Sequence, residues 1–377
     1  MGSRSKSLDG LRGIAALAVV VYHSVLGLTP VTDFNELLVQ PVHLVQSGYA
    51  LATRLVLIAF NGKLAVVYFF VLSGAVLMKS LVDGPPLKAS TAAKFAVRRV
   101  ARLYPTLIVC LLVFYLSING LHVIEPKIFA QQIPFSSLVE NSLLTKISMH
   151  GATWTLQVEV LMIPVMLLAA LLWRIGGLIA LVPLVAFAFS IYGSSAYFAA
   201  EISSGALAFL LGAVAIGEHA GRVVHRLPAA AWAVFAGAAV TLPHFFMTTN
   251  AWAQLATLLL CAASVACLYH GRGGVCLTSP SMQALGRISY SLYLFNVVLM
   301  NIFIAAIVYV TAGASAKHPL EYGMLLACIT LIAAIPVAIW SERLLERPSI
   351  EFGRWISGQR LAFRIRPTDR QLPPLQT

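Results

Sequence analysis

Long apolar runs, separated by shorter polar stretches, recur along the whole chain. Each run holds about 20 mostly apolar residues, the length that an α-helix needs to cross the hydrocarbon core of a bilayer. Because a membrane-spanning segment must satisfy its own backbone hydrogen bonds, the pattern predicts an all-α, polytopic membrane helix bundle. We expect about ten transmembrane helices, over residues 8–28, 62–80, 103–119, 152–173, 177–195, 200–217, 229–246, 252–270, 288–311 and 321–342.

One further apolar stretch, residues 46–60, contains a charged side chain, Arg54. A charge is costly in the core of a bilayer. We therefore predict an interfacial or re-entrant helix for this stretch, in addition to the ten spans.

The composition excludes a soluble globular domain. Hydrophobic residues make up 59% of the 377 and charged residues 11%, and the mean hydropathy is +0.85. Soluble domains are about half apolar and about a quarter charged. The net charge of +12 is compatible with a nucleic-acid partner. We expect no such partner, because basic residues collect on the cytoplasmic side of membrane proteins and so explain the charge.

The distribution of the basic residues predicts that both termini are cytoplasmic. With the N-terminus inside, most of the 26 Lys and Arg fall on the inner side, as the positive-inside rule requires. The two long loops at 29–61 and 120–151 then lie outside. We expect residues 1–345 to form the transmembrane domain and residues 346–377 a basic cytoplasmic tail. The basic residues left outside are Arg54, Lys63, Lys127, Lys146 and Lys317.

Two ionisable residues share one face of the first predicted helix. Arg12 and His23 are eleven residues apart, which at about 100° per residue places them on the same side, on the order of 16 Å apart along the axis. Arg12 then lies near the cytoplasmic interface, where anchoring of the helix end is an equal alternative. His23 lies beyond the midplane, where a neutral imidazole can accept a proton from a hydroxyl group. A histidine bonded between helices is the alternative.

A carboxylate interrupts the fourth predicted span. Glu159 follows Trp154, which fits the outer aromatic belt of a membrane protein. The rise of a helix places Glu159 on the order of 8 Å below the outer surface, at a depth comparable to that of His23. The two groups can therefore share a proton network, and a capped or water-facing glutamate is the alternative. Among the other histidines, His150 lies closest to this motif.

Three arginines precede the third span in the segment RRVARLYP, residues 98–105. Arg99 and Arg102 are three residues apart and therefore share a helix face. Guanidinium groups in such an arrangement suit bidentate contacts to phosphate, with Arg98 beside them. A positive-inside anchor has the same appearance and is favoured when this segment is considered alone.

The residues by themselves leave two classes of function open. Buried Arg, His and Glu side chains build catalytic sites, and they also build the relays of a multi-pass transporter or flippase. The five cysteines form no CxxC pair, so we predict neither disulfides nor a zinc site.

Six motifs occur in an order and spacing that resemble the acyltransferase family 3 membrane proteins. Besides RRVARLYP, the chain contains LDGLRGIAALAVVVYH at 8–23, VVYFFVLSGAVL at 66–77, WTLQVEV at 154–160, ISYSLYLFN at 288–296 and LLERP at 344–348. The third of these is similar to a tryptophan–serine–leucine–serine–valine–glutamate motif, with Thr155 and Gln157 at the serine positions. Asn296 stands where many members carry histidine. The resemblance covers nearly the whole chain.

The resemblance implies an integral membrane O-acyltransferase of a bacterial cytoplasmic (inner) membrane. Its donor would be cytoplasmic acyl-CoA, with acetyl-CoA expected, and its acceptor a hydroxyl group of a saccharide or lipid-linked glycan. No metal is implied. His23 and Glu159 would be catalytic, and Arg12, Arg98, Arg99 and Arg102 would bind the donor. Roles in acceptor binding or in structure are implied for Trp154, Tyr290 and Asn296.

Overall fold

A computed structural model describes residues 6–129, 132–192, 197–246 and 250–358, without the side chains of residues 197–204. Helices, helical turns and loops make up these ranges, and they contain no β-strand. The predicted all-α class is therefore confirmed. The α-helices are, in chain order, α1 Lys6–Leu28, α2 Gly48–Ala59, α3 Gly62–Val82, α4 Ala89–Ile124, α5 Phe135–Ser142, α6 Thr153–Ser190, α7 Tyr197–Ala215, α8 Glu218–Val224, α9 Ala231–Thr241, α10 Ala251–Tyr269, α11 Pro280–Val310, α12 Pro319–Ser341 and α13 Arg347–Ile356.

The long apolar helices identify a multi-pass membrane protein. Within the described ranges, seven helices are long and apolar enough to cross a bilayer, or eight if the bent pair Gly205–Ala215 and Glu218–Val224 is one span. The predicted polytopic membrane bundle is thus confirmed, whereas the count of ten spans stays a prediction. The predicted number of spans exceeds the number of long apolar helices partly because two predicted spans, 152–173 and 177–195, fall mostly within α6. The cytoplasmic placement of both ends also stays a prediction.

Helix α6 is broken at a pair of glycines. Gly176 and Gly177 leave the helical conformation, and Gly177 has φ 59°, a region that favours glycine. Trp154 and Tyr192, which flank the two halves of the helix, line the same cavity. Arg174, next to the break, instead donates to carbonyl oxygens at the end of α3, at 2.7 to 3.4 Å. The glycines therefore place a kink in α6, which divides it into two helical halves.

Glycines allow two pairs of helices to approach closely. A Cβ atom on Gly286 of α11 would collide with the backbone of Asp9 on α1, and one on Gly74 of α3 would collide with the backbone of Phe209 on α7. Small residues of this kind let membrane helices pack backbone against backbone. The approach of α1 to α11 brings Arg12 close to the motif that contains Tyr290.

Two of the shorter helices, α2 and α13, extend the bundle. The stretch interrupted by Arg54 forms α2, which leads through Asn61 directly into α3. At the other end of the molecule α13 packs on α4, where Gly353 lies against Ala101 and Arg98. The division into a domain 1–345 and a tail 346–377 stays a prediction, because residues 359–377 lie outside the described part.

Candidate active site between two cavities

Polar side chains from five helices meet in one narrow cavity, which we call the inner cavity. Its volume is about 60 Å³, so it is large enough for ordered water molecules. Residues of the opening motif, the arginine motif, the tryptophan motif and the late ISYSLYLFN motif are thus brought together. The charged and hydroxyl-bearing residues that line the inner cavity include Arg12, Ser73, Arg99, Arg102, Glu159 and Tyr290.

Glu159 forms an ion pair with Arg99 in the inner cavity. Arg99 Nη2 lies 2.7 Å from Glu159 Oε2, and the Ser73 hydroxyl donates to Glu159 Oε1 at 3.1 Å. Arg99 is 9% exposed. A short charge-assisted bond in a buried position holds both partners in a defined orientation. Glu159 therefore positions the Arg99 guanidinium.

The other two arginines of the segment RRVARLYP have different surroundings. Arg102 lines the inner cavity, and its Nη2 lies 3.8 Å from Oε1 of Glu346, in the helical turn before α13. Arg98 does not line the inner cavity, because its backbone lies against Gly353 of α13. The three guanidinium groups in the cavity wall are consequently those of Arg12, Arg99 and Arg102.

Tyr290 connects the inner cavity to helix α4. Its hydroxyl donates to the carbonyl oxygen of Leu103 at 2.7 Å. Leu103 follows Arg102 directly along the chain. The hydrogen bond therefore fixes α11 against the segment of α4 that carries the cavity arginines.

His23 lines a second and much larger cavity, the outer cavity. Its volume is about 800 Å³, within the range of roughly 300–1,000 Å³ that is usual for ligand pockets. Residues of α1, α2, α3, α6, α10 and α11 line it, among them Trp154. The His23 side chain is exposed to this space, and its ring contacts that of Tyr22 edge to face, with centroids 5.4 Å apart. A ligand in the outer cavity can therefore reach the imidazole.

The proton network expected between His23 and Glu159 is not what the structure shows. His23 lines only the outer cavity, and Glu159 lines only the inner cavity. The described hydrogen-bond partners of Glu159 are Arg99 and Ser73. Similar depth in the bilayer did not bring the two groups together, because the faces of their helices point toward different neighbours.

Two aromatic side chains belong to the walls of both cavities, Phe70 on α3 and Tyr293 on α11. The Tyr293 hydroxyl donates to the carbonyl oxygen of Ala152 at 3.2 Å and accepts from the Thr155 hydroxyl at 3.1 Å. Phe70 packs edge to face on Trp154, with centroids 5.7 Å apart. We call Phe70 and Tyr293 the partition, since they separate the guanidinium-lined cavity from the one that contains His23.

Asn296 and His150 line neither cavity. Asn296 is fully buried, and its amide nitrogen donates to the carbonyl oxygens of Leu292 and Tyr293 at 2.8 and 2.6 Å. His150 is also fully buried, with Nε2 3.1 Å from the carbonyl oxygen of Leu294. Burial lowers the pKa of His150 to about 4, which keeps its imidazole neutral. Both side chains support the packing of α11.

Three basic residues of the outer cavity were not recognised as site residues in the sequence: Arg54, Lys63 and His244. The sequence predicts an interfacial or re-entrant helix around Arg54 and an outer-loop position for Lys63, and it gives no signal for His244. The one available signal was the arginine within apolar residues 46–60, because a charge in such a setting is a candidate for function. Their convergence depends on contacts between α2, α3 and the turn after α9.

No cluster of three or more His, Cys, Asp or Glu side chains suited to a metal ion lies within the described residues. The five cysteines are free thiols. Apart from tyrosine hydroxyls, the ionisable groups that line the two cavities are guanidinium, carboxylate, imidazole and ammonium groups.

Comparison with protein families gives one match that covers most of the chain. The family 3 model described as an acyltransferase domain matches residues 5–343 of the 377. The match includes every residue that lines the inner and outer cavities. Neither the curated proteins nor the solved structures gave a significant match.

Proposed function

The chain belongs to acyltransferase family 3, and from that premise we propose that it transfers an acyl group, with acetyl expected, from cytoplasmic acyl-CoA to a hydroxyl group of a saccharide or lipid-linked glycan. A bacterial cytoplasmic membrane is the proposed location. The observation that supports this most is the pair of adjoining cavities, one lined by guanidinium groups and one by His23, which share Phe70 and Tyr293.

The inner cavity suits the donor because coenzyme A carries several phosphate groups. Guanidinium groups bind phosphate through paired, charge-assisted hydrogen bonds. Arg12, Arg99 and Arg102 stand in the cavity wall, and Glu159 holds Arg99 in place. The pantetheine arm is thin enough to continue past the arginines toward the partition. Arg98, whose backbone packs against α13, would contact only the outermost part of the donor.

The outer cavity suits the acceptor, because it has room for a sugar residue next to His23. In direct transfer, the His23 imidazole takes the proton of the acceptor hydroxyl, and that oxygen attacks the thioester carbonyl carbon. The new carbon–oxygen bond forms while the carbon–sulfur bond breaks, and the proton passes from the imidazolium to the departing thiolate. In the alternative route the imidazole itself carries the acyl group briefly. Either route requires the thioester to reach the partition.

The proposal is tested with the purified full-length chain in proteoliposomes. Acetyl-CoA is supplied together with an envelope glycan fraction from cells that lack the gene. We expect free CoA thiol to appear, and mass spectrometry to show that the glycan gains one acetyl group. A transporter or flippase would move the glycan without releasing CoA, and that result would contradict the proposed transfer.

The partition leads to a separate prediction. Phe70→Ala should raise the acceptor-free hydrolysis of acetyl-CoA severalfold, because water from the outer cavity would then reach the thioester. The measurement is the rate of CoA release without acceptor. Phe114→Ala is the matched control, since Phe114 is similarly buried but lines neither cavity. Truncation of either ring costs stability of about 3–5 kcal/mol, so equal hydrolysis in the two variants would show that Phe70 does not separate the cavities.

A further inference from the structure

The ionisable side chains that line the outer cavity, apart from tyrosines, are all basic. The basic side chains of Arg54 and Lys63 line it, together with the imidazoles of His23 and His244. No Asp or Glu side chain lines it in the described part of the chain. A cavity lined by charge of a single sign attracts ligands of the opposite sign, especially where low-dielectric walls surround it.

Arg54 is the most buried of these groups, with 1% of its surface exposed. Its two terminal nitrogens donate to the carbonyl oxygens of Glu36 and Gln40 at 3.2 and 2.7 Å, while its Nε has no hydrogen-bond partner. These bonds secure the short helical turn Asn35–Val39. These carbonyl oxygens are neutral, and within the described residues no carboxylate pairs with the Arg54 guanidinium. An uncompensated buried charge costs several kcal/mol.

Lys63 also lines the outer cavity, but its surroundings differ from those of Arg54. It is exposed to the outer cavity at the start of α3, and no hydrogen bond or ion pair is described for its amine. Close by, the Asn61 amide nitrogen lies 3.1 Å from Nε2 of His244. Within the described contacts, no protein group pairs with the Lys63 amine, so the amine is available to a ligand in the outer cavity.

Arg54 and His23 line the same outer cavity, and α2, which carries Arg54, packs on α1. Tyr22, the neighbour of His23, belongs to the same apolar cluster as Leu57, which lies one turn after Arg54 on α2. A group held by Arg54 would therefore lie in the same cavity as the imidazole. A shared cavity suits an acceptor that is bound by one end and reacts at another hydroxyl.

We propose that the outer cavity is an anion subsite, in which Arg54 and Lys63 bind a carboxylate or phosphate group of the acceptor. The acceptor is then an acidic saccharide or a sugar linked through phosphate, and not a neutral glycan alone. The subsite rests on the proposed function, because it gives the acceptor of that reaction its chemical class.

Equilibrium binding to the detergent-solubilised full-length chain tests the subsite without requiring catalysis. The probes are methyl glucuronide, glucose 1-phosphate and the neutral methyl glucoside, measured by isothermal titration calorimetry. We expect at least one charged probe to bind about tenfold or more tightly than methyl glucoside, the gain typical of a charge-assisted contact. Preference for the glucuronide would indicate a sugar carboxylate, and preference for glucose 1-phosphate would indicate a phosphate linkage.

Lys63→Gln should remove most of this preference and leave the affinity for methyl glucoside unchanged. Lys317→Gln is the matched control, because Lys317 is exposed in the loop between α11 and α12 and lines neither cavity. Arg54→Gln should act in the same direction, with some loss of stability because it also holds the turn 35–39. Equal affinities for charged and neutral probes, or no detectable binding of the charged ones, would overturn the subsite. CoA release with the glycan fraction is measured separately, so a failure of acyl transfer is distinguished from a failure of anion binding.

Discussion

Replacing His23 by alanine is expected to abolish acyl transfer while donor binding is retained. General acid–base catalysis contributes about 10²–10⁴-fold to a rate, so acetyl transfer by His23→Ala should fall by at least about a hundredfold. The inner cavity should keep its affinity for CoA, because His23 lines only the outer cavity. The measurements are acetyl transfer to the glycan fraction and equilibrium binding of CoA.

The control for this experiment is His219→Ala. His219 is exposed on α8 and lines neither cavity, so its removal changes the same kind of side chain without touching the candidate site. A His23→Ala protein that is folded and binds CoA but transfers acetyl at the full rate would show that the imidazole is not the catalytic base. Loss of transfer together with loss of CoA binding would instead indicate a structural role.

Glu159→Gln is expected to weaken both the fold and the donor site. The substitution leaves the Arg99 guanidinium buried without its carboxylate partner, 2.7 Å away in the intact protein. Breaking such a pair costs on the order of 3 kcal/mol of stability. Because Arg99 then loses its orientation, the KM for acetyl-CoA should rise more than kcat falls. Thermal unfolding in detergent and steady-state kinetics measure the two effects.

Three further variants identify the effect as positioning. Glu159→Asp should raise the KM for acetyl-CoA less than Glu159→Gln does, because it keeps the charge that orients Arg99. The double variant Arg99→Gln with Glu159→Gln should be more stable than the sum of the single variants predicts, since coupled residues are not additive. Glu140→Gln is the control, because it removes an exposed pair with Lys146 at 3.6 Å, which contributes at most about 1 kcal/mol. A kcat that falls with an unchanged KM would point to a direct role of Glu159 in the chemical step.

Which motif residues meet was largely predictable from the sequence. Arg12, Arg99, Arg102 and Glu159 were singled out by their charge within or beside apolar runs, and the structure brings all four to the inner cavity. His23 was singled out in the same way and faces the outer cavity. A charge that is costly in the bilayer is retained where other groups or water compensate it, so such residues converge on cavities.

Which groups pair with each other was not predictable. Sequence reasoning placed Glu159 near His23, and the structure pairs it with Arg99 instead. Depth along the membrane normal follows from counting residues, but the partner of a side chain depends on which helix packs against its face. Arg98 shows the same point, because it is only one residue from Arg99 and lies against α13.

The sequence by itself determined the all-α class and the multi-pass membrane setting, and it singled out the residues proposed to carry the chemistry. These follow from the length of apolar runs and from the cost of charge in a bilayer, which are local properties of the chain. Only the tertiary structure decided that α6 is kinked at Gly176 and Gly177, that Phe70 and Tyr293 belong to the walls of two cavities, and that Arg54 and Lys63 line one of them. These features depend on helix crossings and glycine contacts between distant segments, which no periodicity within a single helix specifies.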